Sequence, residues 1–157
     1  MKVFISHKQE DYLSALLLKR TFDRLNIDSY IDVLDSAIAG GGQGLTEHIK
    51  QQLNNCTDII VVMSEATKLS WWVPFEIGMA AQMDMPTATY LTSSVQLPDY
   101  LEYWPRLKSI SDIPTYVSVR KRVAEQVRKQ YPYSYLEGTL SKIETPTFYN
   151  QLKLELR

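Results

Sequence analysis

One cysteine, two histidines and a net charge of −1 are what this 157-residue chain has least of, and each shortage removes a class of function. Cys56 alone cannot form an internal disulfide, and with no base in view it is not expected to act as a nucleophile. A lone thiol also fits a reducing compartment. His7 and His48 lack further ligands at metal-binding spacing, so no zinc site is expected, and His48 reads as a surface helix residue. The near-zero net charge gives no reason to expect nucleic acid or anionic membrane as the main partner. Long apolar runs are missing too. The longest aliphatic one, residues 59–63, is far below bilayer length, and the short run behind Lys2 is no secretory h-region. The expected setting is cytoplasmic, with neither membrane nor nucleic acid as partner.

What remains is ordinary for a globular protein, 45% hydrophobic and 22% charged, with the length of one domain over residues 1–157. Apolar strands at residues 3–5, 29–34, 59–63 and 87–91 alternate with segments of helical spacing. Asp11 is placed to cap a first helix that buries Leu13, Leu16, Leu17, Phe22 and Leu25. A loop with Gly40, Gly41, Gly42 and Gly44 precedes a second helix with Leu45, Ile49 and Leu53 on one side. A third helix is predicted over residues 74–83. Such alternation argues for an α/β fold, a central parallel sheet of four to five strands between layers of helices. Beyond Leu91, three prolines punctuate a tyrosine-rich stretch best read as loop and short turns. Val119, Val123 and Val127 then mark a helix with a basic outer face, and Thr145-Pro146 opens a last short helix.

The segment DIIVVMSEATKLSWWVPFEIGMAA, residues 58–81, concentrates the chemistry. In open α/β sheets ligands bind beyond the carboxyl ends of the strands, which is where Ser64, Trp71, Trp72 and Glu76 fall. Trp72 and Glu76 are four apart, so a helix begun by Trp72 puts them on one face. An aromatic plate beside one carboxylate suits a planar, cationic ring on a sugar. A glutamate in a helix's first turn is common for the helix dipole alone. Two adjacent tryptophans by a polar loop shift the balance toward a binding surface, with Trp72 on the ligand and Trp71 packed against the domain. Ser6, His7 and Lys8 follow the first strand at the same edge, and Asp32 and Asp35 flank the end of the second. Each has a ligand reading and a plain turn reading. The glycines are followed by no Lys-Ser/Thr, which excludes a phosphate loop of the nucleoside-triphosphatase kind.

Taken in order, VFISHKQED, SYIDVLD with Gly44, Leu45 and Ile49 behind it, DIIVVMS and SWWVPFE resemble a bacterial TIR domain, over roughly residues 1–91. The resemblance implies a flavodoxin-like three-layer sandwich and, from Glu76 four residues after Trp72, an enzyme that cleaves the nicotinamide–ribose bond of NAD. Glu76 is then the catalytic carboxylate, with Ser6, His7, Lys8, Asp32, Ser64 and Trp72 around the substrate and Lys8 toward a phosphate. NAD is the substrate, and neither a cofactor nor a metal is expected. The chemistry is compatible with so sparse a site. Nicotinamide departs as a neutral molecule without a general acid, and one carboxylate can offset the charge on an oxocarbenium-like ribose. The glycine segment is expected to mediate self-association or to gate the site. With no further domain attached, the chain is similar to the TIR enzymes of Thoeris-type antiphage systems, which make an ADP-ribose-derived, often cyclic messenger for a separate effector protein.

Three other functions compete. Glu76-Ile77-Gly78, followed by Pro86 and a strand, also resembles the Glu-X-Gly unit of nucleoside 2-deoxyribosyltransferases, which would keep N-glycosidic chemistry at Glu76. A non-enzymatic TIR scaffold would have no need of Trp72 and Glu76 together, whereas a nucleotide sensor without catalysis would be compatible with both.

Overall fold

Six consecutive buried residues, Asp58–Met63, form the middle strand of a five-stranded parallel sheet in the computed structural model, which describes residues 1–31, 41–132 and 137–156. Elements run in the order β1 (Lys2–Ser6), α1 (Tyr12–Arg24), β2 (Asp28–Ile31), α2 (Gly41–Asn54), β3 (Asp58–Met63), α3 (Trp72–Gln82), β4 (Thr87–Leu91), β5 (Arg106–Leu107), α4 (Asp112–Gln130) and α5 (Glu137–Glu155). Short 3-10 turns lie at Gln9–Asp11, Thr67–Leu69 and Asp99–Leu101. The strand order β2-β1-β3-β4-β5, with every neighbouring pair parallel, is that of a flavodoxin-like sandwich.

Strand alternation divides the interior into two layers. Val3, Ile5, Ile60 and Val62 face α1, α4 and α5, where they meet Leu18, Phe22, Tyr116, Val123 and Phe148. Phe4, Ile59, Val61 and Met63 face α2 and α3, against Ile49, Leu53, Val73 and Ile77. Helices α1 and α3 end alike. Asn26 and Asp84 take positive φ, and the next amide bonds back to Phe22 and to Ala80 respectively, which satisfies carbonyls the helix leaves open.

Several expectations change. On α1 the buried stripe is Ala15, Leu18 and Phe22, while Leu13 is 78% exposed and Leu17 also faces solvent. The run LSALLLK carries two stripes at helical spacing, and packing on Val3 and Ile5 selects the other one. Asp11 occupies the N-cap position but makes no capping bond. Residues 41–44 begin α2 instead of forming a loop, with Thr46 Oγ1 donating to the Gly42 carbonyl at 2.8 Å; Gly40 lies outside the described residues. Helix α5 begins at Glu137 and carries Pro146 within it, and the Thr145 hydroxyl donates to the Asp84 carbonyl at 2.7 Å instead of opening a helix. Strand β2 is described to Ile31, so the remainder of its expected span, Asp32 and Asp35 lie outside the described residues.

The amino ends of the strands are closed by a polar network. Asp58, fully buried, accepts from Tyr116 Oη at 2.9 Å, Arg120 Nε at 2.8 Å and Thr57 Oγ1 at 2.6 Å. Arg120 also pairs with Glu144 and lies over the Phe148 ring, so β3, α4 and α5 share one guanidinium. Burial alone would lower the Arg120 pKa, but Asp58 and Glu144 outweigh it and raise it. Burial, helped by Asp58, holds the Tyr116 hydroxyl well above its ordinary range.

Candidate functional site

The opposite edge, beyond the carboxyl ends of β1 and β3, is where the chain reverses its direction across the sheet, and crevices at such points accept ligands. Helix α3 starts there. Ser70 Oγ accepts from the Trp72 and Val73 amides, both at 3.3 Å, and so caps the first turn although it sits one residue before the formal cap. A serine ahead of an apolar helical run is a start signal that sequence reasoning passed over.

Along α3 the buried positions are Val73, Glu76, Ile77 and Ala80, the i, i+3, i+4, i+7 pattern of a core stripe with a carboxylate inside it. Glu76 is only 1% exposed. Facing it is Ser6, the last residue of β1, whose side chain follows Phe4 by two and points to the same layer. Ser6 is fully buried and donates its hydroxyl hydrogen to Glu76 Oε2. An ionised carboxylate at such depth is tolerated when hydrogen-bonded, and Ser6 supplies that partner.

The same edge of the sheet carries a second buried carboxylate, on the connection after β1. Asp11 Oδ2 accepts from Ser64 Oγ and from Thr67 Oγ1, both at 2.5 Å. Ser64 Oγ in turn accepts the Ala66 and Thr67 amides at 3.1 and 3.2 Å. The connection after β1 is thereby bolted to the connection after β3. The sequence placed Asp11 at a helix start, but its partners are 53 and 56 residues away, and no local pattern announces them.

The other expected contacts are placed as follows. His7 is buried, its ring 6.0 Å from that of Tyr12. Lys8 pairs with Glu10 at 2.9 Å, and that hydrogen bond holds the Glu10 carboxyl below its usual range. His48 is half-buried on α2, with Nε2 2.9 Å from Tyr30 Oη, instead of a plain surface residue. Asp32 lies outside the described residues.

Of the two tryptophans, Trp71 does not pack against the domain as expected. Trp71 is 91% exposed, whereas Trp72 is half-buried against the α2–α3 layer with Phe75 edge-on at 5.9 Å. The reason is helical geometry. The buried stripe of α3 passes through Val73, and Trp71 falls just outside the helix, on its solvent side. Leu69 is likewise exposed, so the connection between β3 and α3 carries apolar side chains in water.

Among the described residues, no group of three or more His, Cys, Asp or Glu side chains is arranged to hold a metal ion, and no helix is long and apolar enough to cross a membrane. The sequence profile of the family described as "TIR domain" matches residues 3–130. No curated protein matches the chain.

Proposed function

Since the chain belongs to the TIR domain family, we propose that it is an enzyme that cleaves the nicotinamide–ribose bond of NAD, with Glu76 as the catalytic carboxylate. The observation that carries this reading is Glu76 itself, a carboxylate set in the apolar stripe of α3, four residues after Trp72 and against the end of β1. A carboxylate on a core stripe is costly to bury, and such groups cluster at functional sites.

The chemistry needs little else. The C1′–N bond breaks with its electron pair leaving on the nicotinamide nitrogen, which neutralises the pyridinium. The positive charge passes to the ribose C1′ and its ring oxygen, where Glu76 offsets it. Addition of water at C1′ with loss of a proton gives ADP-ribose. Addition of a nitrogen of the adenine ring, again with loss of a proton, gives a cyclic product. Trp72 is the face on which the nicotinamide rests, its ring already fixed edge-on by Phe75. Ser64 is engaged by Asp11 and acts through the loop, and Lys8, just past the end of β1, is the residue on that side that reaches a phosphate. The family resemblance also assigns His7 and Asp32 to the substrate; His7 is buried, and Asp32 lies outside the described residues.

Because Glu76 is covered, part of the rim must move before a dinucleotide reaches it, and low basal activity that rises on self-association or on a trigger follows. In the finer form of this reading the product is a messenger of the Thoeris antiphage kind, read by a separate effector protein in the cytoplasm. Incubation with NAD, followed by mass spectrometry of the products, tests the proposal. Nicotinamide release with ADP-ribose or a cyclic isomer supports it. Intact NAD at every enzyme concentration, or turnover of deoxynucleosides in its place, overturns it.

A further inference from the structure

We propose that Ser6 is a positioning residue for this reaction, its hydroxyl fixing the Glu76 carboxylate through Oε2; the inference rests on the NAD-cleaving reading above. Ser6 and Glu76 come from elements 70 residues apart, and both are buried. Three features of the fold make this bond more than incidental solvation.

The first is rigidity of the donor. Ser6 closes β1, which is paired on both sides, with Ile5 opposite Ile31 of β2 and Ser6 opposite Val61 of β3. The second is the nature of the acceptor. The terminal torsion of a glutamate is broad and roughly two-fold, so α3 alone does not set the plane of the carboxylate. A strand-borne hydroxyl on Oε2 helps to set it. The third is the layer itself. Neighbours of Ser6 on this face, Phe4, Val61 and Ile77, are apolar, and a serine among them leaves its hydroxyl no water to address. Ser6 has no exposed surface and its hydroxyl is engaged by Glu76 Oε2, so it acts on the substrate through Glu76.

The test compares Ser6→Ala, Ser6→Cys, Glu76→Gln and the double variant Ser6→Ala/Glu76→Gln by steady-state NAD cleavage and by urea unfolding. Ser6→Cys keeps the volume but replaces a strong donor with a weak one, so it separates the hydrogen bond from packing and guards against a misfolded alanine variant. Both Ser6 variants are expected to lose about 10- to 100-fold in kcat while KM stays within about threefold, the pattern of a misplaced catalytic group. In the Glu76→Gln background Ser6→Ala should lower the residual rate by less than about threefold, because groups that act as a unit are not additive. For stability the cycle uses Glu76→Ala, which removes the acceptor that a glutamine would keep: the urea midpoints of wild type, Ser6→Ala, Glu76→Ala and Ser6→Ala/Glu76→Ala should be non-additive, a readout that needs no turnover. Wild-type cleavage of NAD with full kcat in a folded Ser6→Cys protein, or additive midpoints, would overturn the positioning role alone. Absence of cleavage by the wild type would overturn the proposed function, and with it any role for Ser6 in that reaction.

Discussion

Replacing Glu76 by Gln removes one charge and almost no volume, so its effect on rate can be worked from the burial of that charge. At 1% exposure the carboxylate is not screened by bulk water. For a positive centre developing about 4 Å away, an effective dielectric constant of about 20 gives an attraction of about 4 kcal/mol. An amide dipole recovers part of it, leaving a barrier higher by about 3–4 kcal/mol and a rate lower by about 10²- to 10³-fold. Stability should barely change, because the amide oxygen still accepts from Ser6. A net change within about 1 kcal/mol corresponds to a melting shift of about 2–4 °C for a chain of this size. Nicotinamide release by chromatography, beside a circular dichroism melt, measures both quantities. A folded Glu76→Gln protein with a rate within about threefold of wild type would refute the reasoning, for then the charge does no chemistry.

Other substitutions separate rim, loop and core. Trp71→Ala should change stability by less than about 0.5 kcal/mol, as solvent surrounds the ring, whereas Trp72→Ala should raise KM for NAD and cost about 1–3 kcal/mol in urea unfolding. Asp58→Ala leaves Arg120 and Tyr116 without their shared acceptor and should cost about 3–5 kcal/mol, seen as a melting point lower by roughly 6–20 °C. Burial pushes the Cys56 thiol up to about 11 from an ordinary 9.0, so the folded state keeps a proton that the unfolded chain sheds. That contribution is complete below the unfolded value and fades as pH climbs from about 9 toward 11, so the stability gap between wild type and Cys56→Ala should narrow over this window. Specific activity should rise with enzyme concentration if self-association uncovers Glu76, and a value high and constant across dilution would remove that regulation.

The inner strands were legible in the sequence because they are nearly continuous apolar runs, as in β3, where every residue is buried, whereas the two-residue edge strand β5, Arg106–Leu107, falls in a stretch expected to be loop and short turns. Trp72 and Glu76 fall on one face of α3 because the helix begins at Trp72, two residues before the start that Pro74 suggested. What failed was choice between equivalent local signals. The leucines of α1 offer two stripes, and only Val3 and Ile5 beneath them decide. Thr145-Pro146 has the form of a helix start, yet the threonine is drawn to the Asp84 carbonyl and the helix runs through. Asp11 has the form of a cap, yet two hydroxyls beyond β3 claim its carboxylate. In each case a partner distant in sequence outweighed a local preference, and such partners leave no periodicity to find.

Trp71 gives the molecule a built-in optical probe. The other two indoles are shielded, Trp72 partly and Trp104 almost wholly, so the red edge of the emission and its quenching by iodide report chiefly on Trp71. That ring stands in solvent directly before α3, the helix that carries Glu76, where on the proposed function a bound dinucleotide or a second copy of the chain would cover it. A blue shift with loss of iodide quenching on concentrating the protein would register assembly, and the same change on adding a non-cleavable dinucleotide to dilute protein would register occupancy. The two events can thus be followed in unlabelled protein, in real time.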